Sequence, residues 1–183
     1  MTHELSLGDA LAAFRMRNGL PSDESSTSRW NCGVGPLTLR LPNFGWRRHA
    51  ILAHDLHHVL TGYPCNLRGE FQVAAWEFGA GPMPHWGARL FCLPLMVIGL
   101  VWSPRRIWRA YCDGLNSISL HGGRIDDALL SSPVSVIGRR AKTHHAQRPW
   151  RHFKFLGLLA EAALILCTPM LIAALAWWAA QQV

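Results

Sequence analysis

Apolar and polar positions between Pro42 and Pro64 recur with the period of an α-helix. Asn43 can cap the free N–H groups at the start of this helix, and Gly62 marks its end. At about 100° per residue, the apolar side chains of the predicted helix 44–61 gather on one face. They are Leu52, Leu56, Val59 and Leu60. The pattern therefore predicts a helix that buries one face and leaves the other available for polar chemistry.

A second helix is predicted to begin near Gly69, with Asn66 as its cap. Glu70 and Glu77 are almost two turns apart and share one face of this helix. Apolar side chains cover most of the remaining surface: Phe71, Val73, Ala75, Trp76 and Phe78. A carboxylate stripe on such a helix is unusual, because a buried carboxylate needs a partner.

The rest of the N-terminal part is predicted to contain further helices and little extended chain. A first helix covers Leu7–Asn18, residues 21–35 form a loop, and the extended stretch 38–41 is too short to alter the class. The apolar run 90–102 is interrupted at Pro94 and is short for a membrane span. It is a core, re-entrant or interfacial segment, and another helix follows it. The predicted fold class is all-α.

The C-terminal segment is the longest apolar stretch of the chain. Residues 155–180 contain one charged side chain, Glu161, and at 1.5 Å per residue the uncharged part can cross a hydrocarbon core. Trp177 and Trp178 lie near the far end, where amphipathic rings favour the interface. The pattern predicts a transmembrane helix kinked at Pro169, and the alternative is a buried core helix.

Basic residues set the expected orientation of this helix. The net charge is +7, and six basic side chains precede the span: Arg139, Arg140, Lys142, Arg148, Arg151 and Lys154. The positive-inside rule puts the N-terminal domain in the cytoplasm of a bacterial-type inner membrane. Such residues meet anionic membrane lipid, so nucleic acid is not an expected partner. We divide the chain into a helical domain (1–140), a basic linker (141–154) and a single-pass anchor (155–180).

The polar face of the helix 44–61 carries candidate metal ligands. His54 and His58 are one turn apart, and Asp55 lies about 100° from His54. Glu70 can meet them if the turn folds the second helix back onto the first. Two imidazoles with one or two carboxylates form a mixed N/O site that suits zinc or iron and leaves positions open for substrate. The alternative is that the two histidines are solvent-exposed and inert.

Neighbouring polar residues have supporting roles in this hypothesis. Asp55 is either a further ligand or a group that orients a ligand histidine. Glu77 supports a ligand from behind or moves a proton. His57 points away from His54 and is expected behind the ligands or at the surface, whereas His49 lies in the apolar sector as a structural histidine.

The segments HDLHH, TGYPCNLRGE and VAAWE together resemble the signature of the coenzyme Q (ubiquinone) biosynthesis protein 4 family. The matching residues are His54, Asp55, His58 and Glu70, with Gly62, Pro64, Asn66 and Gly69 in the turn. The resemblance is dense over 40–80, weaker to about residue 140, and does not include the C-terminal apolar segment. It implies a helical, membrane-associated protein with a divalent metal on the HDxxH and Glu residues. It also implies oxidative removal of the ring carboxylate from a polyprenylated quinone precursor.

The expected function is therefore metal-dependent lyase chemistry on a prenylated benzoate in ubiquinone biosynthesis. The expected catalytic residues are His54, Asp55, His58, Glu70 and Glu77, of which the first four hold the metal. Segment 90–102 would line an apolar tunnel for the prenyl tail. Expected partners are membrane lipid, the prenylated precursor and other quinone-biosynthesis enzymes, and an oligomer is compatible with the sequence.

Two other functions stay open at this point. One is a non-catalytic isoprenoid-lipid-binding or scaffold protein of quinone biosynthesis. The other is a membrane-anchored metal hydrolase, because a His-Asp pair on a helix also occurs in phosphohydrolases. A hydrolase needs additional ligands, and the chain could supply them from His85, His121, Asp126 or Asp127.

Overall fold

A computed structural model describes residues 4–22, 28–34, 37–141 and 150–181. Within these ranges the protein is all-α, with eight helices, one hairpin and a single 3₁₀ turn. The elements are α1 (Leu7–Asn18), β1 (Arg29–Val34), β2 (Leu37–Pro42), α2 (Gly45–Thr61), α3 (Leu67–Ala80), α4 (Trp86–Trp102), α5 (Pro104–Leu115), the 3₁₀ turn (Leu120–Gly122), α6 (Asp127–Leu130), α7 (Val134–Ala141) and α8 (Arg151–Ala180). The predicted fold class is confirmed.

The sequence pattern missed one strand of a hairpin, β1, whereas β2 contains the predicted extended stretch 38–41. β1 and β2 pair antiparallel, with Arg29 opposite Pro42 and Val34 opposite Leu37. β1 occupies part of the segment 21–35 that was expected to be a loop, so that expectation was wrong there. The sequence of β1 does alternate, with Trp30, Cys32 and Val34 at every second position. The polar, Ser-rich stretch before it and the glycines within and after it led to the loop prediction, and the pairing with β2 supplies its hydrogen bonds.

The ends of the helices follow local chemistry in most places. The Asn66 side chain accepts a hydrogen bond from the N–H of Gly69, as predicted, although α3 begins two residues earlier than expected. Asn43 is not the cap of α2, which was a wrong prediction. Phe44 takes the cap position without a side-chain bond, and the Asn43 side chain accepts from Arg47 instead.

The main core lies where α3 packs against α5 and α4. Two glycines allow α3 and α5 to approach closely. A Cβ at Gly79 would overlap the carbonyl oxygen of Tyr111, and a Cβ at Gly114 would overlap that of Trp76. This close contact holds α3, the helix that carries Glu70 and Glu77, in place against α5.

α4 continues through Pro94, which was expected to interrupt it. Proline removes one hydrogen bond and crowds the carbonyl four residues earlier. That carbonyl belongs to Leu90, whose side chain is exposed, so the carbonyl can stay near solvent. Leu93 and Met96, further round the helix, are fully buried in the main core.

α8 has a packed beginning and an exposed remainder. Phe155, Leu158 and Ala162 are buried in the main core, and Glu161 forms an ion pair with Arg89 of α4. Most of the remaining apolar length is exposed. By length and composition Arg151–Trp178 can cross a membrane, with a mean hydropathy of 2.2 over its most apolar window.

The region expected to be a basic linker is partly helical. α8 begins at Arg151, inside the expected linker 141–154, and α7 occupies 134–141 with Ile137 buried in a second core. Residues 142–149, which include His144 and His145, lie outside the described residues. His152 belongs to α8 and stacks on the ring of Trp108.

Candidate metal centre

A tight turn brings the beginning of α3 against the end of α2. Gly62 ends α2 with a φ of 74°, a left-handed conformation that favours glycine. Gly69 passes so close to Pro64 that a Cβ at this position would overlap the Pro64 carbonyl oxygen. Because the backbone can approach here, Glu70 in the first turn of α3 lies opposite His54 and His58.

Three of the predicted ligands come together. His54 Nε2 lies 3.0 Å from Glu70 Oε2, and His58 Nε2 lies 3.2 Å from Glu70 Oε1. The two Nε2 atoms are 3.3 Å apart. Ligands bound 2.0–2.1 Å from a tetrahedral zinc ion are separated by about 3.3 Å. The group His54, His58 and Glu70 could therefore hold a metal ion.

Hydrogen bonds behind the rings decide which nitrogen of each histidine faces this group. His58 Nδ1 lies 2.9 Å from the carbonyl oxygen of Tyr63, which only accepts, so Nδ1 carries the proton. His54 Nδ1 lies 3.0 Å from Glu77 Oε1 and donates to that carboxylate. Both Nε2 atoms are then available as ligands, and the partners behind them match those of metal-bound histidines.

The electrostatics of the group favour a positive charge at its centre. Burial acts to lower the pKa of His54, but the Glu77 and Glu70 carboxylates outweigh it and raise the pKa well above its ordinary value. Burial acts to raise the pKa of Glu70, but hydrogen bonds from His54 and His58 lower it to about 2. Without metal, a proton on His54 supplies the charge that a metal ion would supply.

Asp55, predicted as a catalytic residue and a fourth ligand, lies outside the group. Its Oδ2 accepts from Arg15 of α1, with both Nε and Nη2 at 2.8 Å. The cause is its position on α2, about 100° from His54, which turns the carboxylate towards α1. No sequence pattern pointed to this partner, because Arg15 is forty residues away.

Glu77 is the buried centre of a second group of side chains. Its side chain has no exposed surface, and its Oε1 accepts from His57 Nδ1 at 2.7 Å as well as from His54. His121 Nε2 also lies 3.1 Å from this oxygen, without the alignment of a hydrogen bond. Glu77 thus supports a ligand histidine from behind, one of the two roles expected for it.

His57, His121 and Glu77 could also hold a metal ion by distance alone. The tautomer of His57 opposes this. Its Nε2 accepts from the N–H of Leu120 at 2.9 Å, so its Nδ1 carries a proton that points at Glu77. Burial lowers the pKa of His57 to about 4, which keeps the ring neutral. This group therefore serves to fix Glu77.

The sequence singled out His57 only as a residue behind the ligands or at the surface, and it is fully buried behind them. His121 was weighed only as a hydrolase ligand, and no spacing signal marks it because it lies in a 3₁₀ turn far along the chain. His49, expected to be structural, lies 3.2 Å from the His121 carbonyl oxygen through its Nε2. His85 packs on Trp46, and Asp126 caps α6, so these hydrolase candidates are elsewhere.

A cavity of about 410 Å³ reaches the metal group at one residue, His58. Its walls come from α1, the end of α2 and the turn, and include Phe14, His58, Val59, Tyr63 and Cys65. The Phe14 ring stacks on the His58 ring with centroids 5.4 Å apart. Residues 90–102, expected to line the substrate tunnel, do not line this cavity.

Comparison with known proteins gives no further guide. No family model, curated protein or solved structure matches this chain. What the site offers is a pair of oriented imidazole nitrogens and a carboxylate, beside a cavity with an apolar wall. Such a site can bind a metal ion and present it to an aromatic or lipid-like molecule.

Proposed function

We propose that this protein is a membrane-anchored, metal-dependent enzyme of ubiquinone biosynthesis that removes the ring carboxylate from a polyprenylated aromatic precursor. The observation that supports it most is the convergence of His54 Nε2, His58 Nε2 and the Glu70 carboxylate on one point. The substrate class rests on the resemblance of HDLHH and the following Gly-Glu turn to the coenzyme Q biosynthesis protein 4 family.

The ligand set suits zinc or iron. Two histidines and one glutamate form the zinc set of several hydrolytic enzymes, and two histidines with one carboxylate form the facial triad of non-haem iron proteins. Either ion would supply a Lewis acid for the substrate carboxylate, and iron would in addition exchange electrons with dioxygen. The protein's own contribution is to aim both Nε2 atoms at the metal position, because Tyr63 and Glu77 hold the Nδ1 atoms behind them.

The proposed reaction exchanges a ring carboxylate for a hydroxyl group. The carboxyl carbon leaves as carbon dioxide, and an oxygen atom from water takes its place on the ring. Two electrons and two protons pass to dioxygen, which becomes hydrogen peroxide. The reaction therefore needs dioxygen as a second substrate.

The cavity beside His58 is the proposed position of the aromatic ring. Phe14 and Val59 provide apolar walls, and His58 is the one residue of the metal group in its lining. The Phe14 ring stacks on one face of His58, so the substrate ring would lie beside Phe14. The substrate carboxylate would reach the metal position from the side of His58, while the prenyl tail remains outside.

We also propose that α8 crosses a bacterial-type inner membrane with the N-terminal domain on the cytoplasmic side. The exposed, apolar length of Arg151–Trp178 supports the span. The basic residues that precede it support the orientation. Such an anchor would hold the enzyme where its prenylated substrate is dissolved.

The test is to purify the full-length protein in detergent and measure metal by elemental analysis and turnover by mass spectrometry. The substrate is a prenylated hydroxybenzoate supplied with dioxygen. We expect one zinc or iron per chain and loss of carbon dioxide from the substrate. Both should be lost in His58→Ala and Glu70→Ala and retained in His152→Ala, the same change at an exposed histidine outside the cavity.

Two results would contradict the proposed enzymatic function. A metal-loaded wild-type protein that retains a prenylated lipid but releases no carbon dioxide would support the scaffold function. Release of phosphate from a prenyl phosphate, without turnover of the carboxylated ring, would support the hydrolase.

A further inference from the structure

A second surface of the molecule exposes aromatic side chains from three elements. The hairpin contributes Trp30, the beginning of α2 contributes Phe44 and Trp46, and the beginning of α4 contributes Trp86 and Phe91. Phe44, Trp86 and Phe91 are 55%, 79% and 48% exposed. Contiguous exposed apolar area of this kind marks an interaction site on a folded protein. We refer to these five residues as the aromatic surface.

Ring contacts join the three elements into one continuous surface. Trp30 meets Phe91 edge to face at 6.2 Å, which connects the hairpin to α4. The Arg47 guanidinium lies 3.8 Å from the centre of the Trp30 ring, which connects the hairpin to α2. Phe44 stacks on Trp46 with ring centroids 6.4 Å apart, and Trp46 contacts the ring of His85, the residue before α4, at 5.8 Å. Contacts thus join the three elements, and Trp86 lies next to His85 in the sequence, exposed at the start of α4.

The segments that carry this patch are basic. Segments 28–54 and 82–102, which contain the whole aromatic surface, have no aspartate or glutamate. They contain five arginines: Arg29, Arg40, Arg47, Arg48 and Arg89, of which Arg89 is paired with Glu161 of α8. Aromatic rings together with arginines favour the headgroup layer of an anionic membrane, where rings sit at the interface and cations meet phosphates.

The position of α8 relates this patch to the proposed span. Near its beginning, α4 is joined to Glu161 of α8 by the Arg89 ion pair, and the uncharged part of α8 starts directly after Glu161. α5, which follows α4, contacts the first turn of α8, since the Tyr111 hydroxyl donates to the Arg151 carbonyl. α4 thus runs away from the span, and Trp102 is about 24 Å along the helix from Trp86.

We propose that the aromatic surface lies on the headgroup layer of an anionic phospholipid bilayer, beside the point where α8 enters it. The proposal rests on the membrane span of α8 that is part of the proposed function. Trp86 and Phe91 contact the upper acyl chains, and Arg29 and Arg48 contact lipid phosphates. This second contact holds the metal-binding domain in one orientation on the membrane instead of leaving it free to swing on its anchor.

The experiment uses the full-length protein in lipid nanodiscs. One set contains phosphatidylcholine alone and the other contains phosphatidylcholine with phosphatidylglycerol, and both include a phospholipid with a photoreactive diazirine on its upper acyl chain. Mass spectrometry then locates the labelled residues. We expect label on α8 in both sets, and on Trp86 and Phe91 most strongly in the anionic set. Two exposed apolar residues elsewhere, Trp102 and Met16, should stay unlabelled.

The outcomes separate this proposal from the span itself. If only α8 is labelled, the proposed membrane contact of the aromatic surface is wrong and the proposed span of α8 still holds. If α8 is not labelled, the proposed span is wrong. If Trp102 is labelled as strongly as Trp86, the proposed orientation of the domain on the membrane is wrong.

A charge reversal tests the role of lipid phosphate. Arg29→Glu should lower the labelling of Trp86 in anionic nanodiscs by about fivefold or more, because each arginine near an anionic surface adds to binding. Arg105→Glu, at the far end of α4, is the matched control and should have no effect. Equal labelling of Trp86 in neutral and anionic nanodiscs would overturn the recognition of anionic headgroups.

Discussion

Arg15 and Asp55 form an ion pair that ties α1 to α2, the helix carrying both candidate ligand histidines. Two guanidinium nitrogens of Arg15, Nε and Nη2, are each 2.8 Å from the same oxygen of Asp55. The pair is mostly buried, with side-chain exposures of 13% and 10%. Through it, α1 also holds Phe14 against His58. The aspartate of the HDLHH motif thus holds α1, which forms one wall of the cavity.

Replacing Arg15 by methionine should destabilise the protein. The substitution keeps the apolar stem but leaves the Asp55 carboxylate buried without its partner, which costs about 3 kcal/mol in the free energy of unfolding. Urea unfolding of Arg15→Met in detergent measures the loss. Arg17→Met, on an exposed position of the same helix, should change the midpoint little. Equal stability of the two variants would show that the pair contributes nothing.

Asp55→Asn should retain the metal. The structure assigns the Asp55 carboxylate to Arg15, so neutralising it removes the ion pair and leaves His54, His58 and Glu70 in place. Elemental analysis of purified Asp55→Asn should give the metal content of the wild type, whereas His54→Ala should lose it. If Asp55→Asn contains no metal but circular dichroism shows that it is folded, Asp55 is a metal ligand after all.

Glu77→Gln should weaken metal binding without abolishing it. Glutamine can still accept the proton of His54 Nδ1, but it lacks the charge that makes the imidazole a better ligand. Changes of this kind behind metal ligands lower affinity by about 10–100-fold. Competition with a fluorescent chelator measures this affinity. Glu4→Gln, at an exposed position, is the control, and an unchanged affinity in Glu77→Gln would show that Glu77 does not act on His54.

Metal binding should release a proton and should tighten as the pH rises. The raised pKa of His54 keeps its ring protonated in the metal-free protein at neutral pH, and the metal must displace that proton. We expect about one proton released per metal ion, measured by calorimetry in buffers of different ionisation enthalpy. Binding that is independent of pH between 6 and 8 (a range around the ordinary histidine pKa of about 6.5) would contradict this.

The raised pKa of His54 also makes the stability of the metal-free fold depend on pH. A group whose pKa is raised on folding stabilises the folded state fully below its unfolded value, and this contribution is lost as the pH rises through the raised pKa. For His54 the stabilisation is therefore present below about pH 6.5 and falls above it. Urea unfolding of the metal-free protein at several pH values should show this fall, and His54→Gln should not.

Gly114→Ala should disrupt the packing of α3 on α5. The added Cβ would overlap the Trp76 carbonyl oxygen, which is backbone and cannot rotate away. Overpacking of this kind costs about 1–3 kcal/mol. The control is Gly138→Ala in α7, where a Cβ meets nothing within 4 Å. Gain of helix propensity there should stabilise the protein by up to about 1 kcal/mol, and thermal unfolding compares the two variants.

The helices were predictable because their signals are local. Gly62, Pro64 and Asn66 fix the turn between α2 and α3 by their own conformational preferences, so the meeting of Glu70 with the two histidines followed from spacing. The long apolar run of α8 could also be recognised without knowing any tertiary contact. Each of these features is set by residues that lie within a few turns of one another along the chain.

Two of the features that were missed depend on distant partners. Asp55 was assigned to the metal because Arg15 could not be placed beside it from the sequence, and His121 was not placed beside Glu77 for the same reason. In both cases the deciding contact joins segments whose approach only the folded chain defines. β1 is different, because its partner β2 follows directly in the sequence and its alternation is a local signal that was outweighed by the polar, glycine-containing surroundings.

The ligands themselves lie close together in the sequence, between His54 and Glu70, whereas His121 comes from far along the chain to the Glu77 that supports them. Closing a short loop costs little entropy, so an unfolded chain retains part of its affinity for the metal. Metal bound to the unfolded state reduces the stabilisation that binding gives to the native state. Saturating metal should therefore raise the unfolding midpoint by less than the native affinity alone would give, and a chain still being synthesised could capture its metal before α8 is complete.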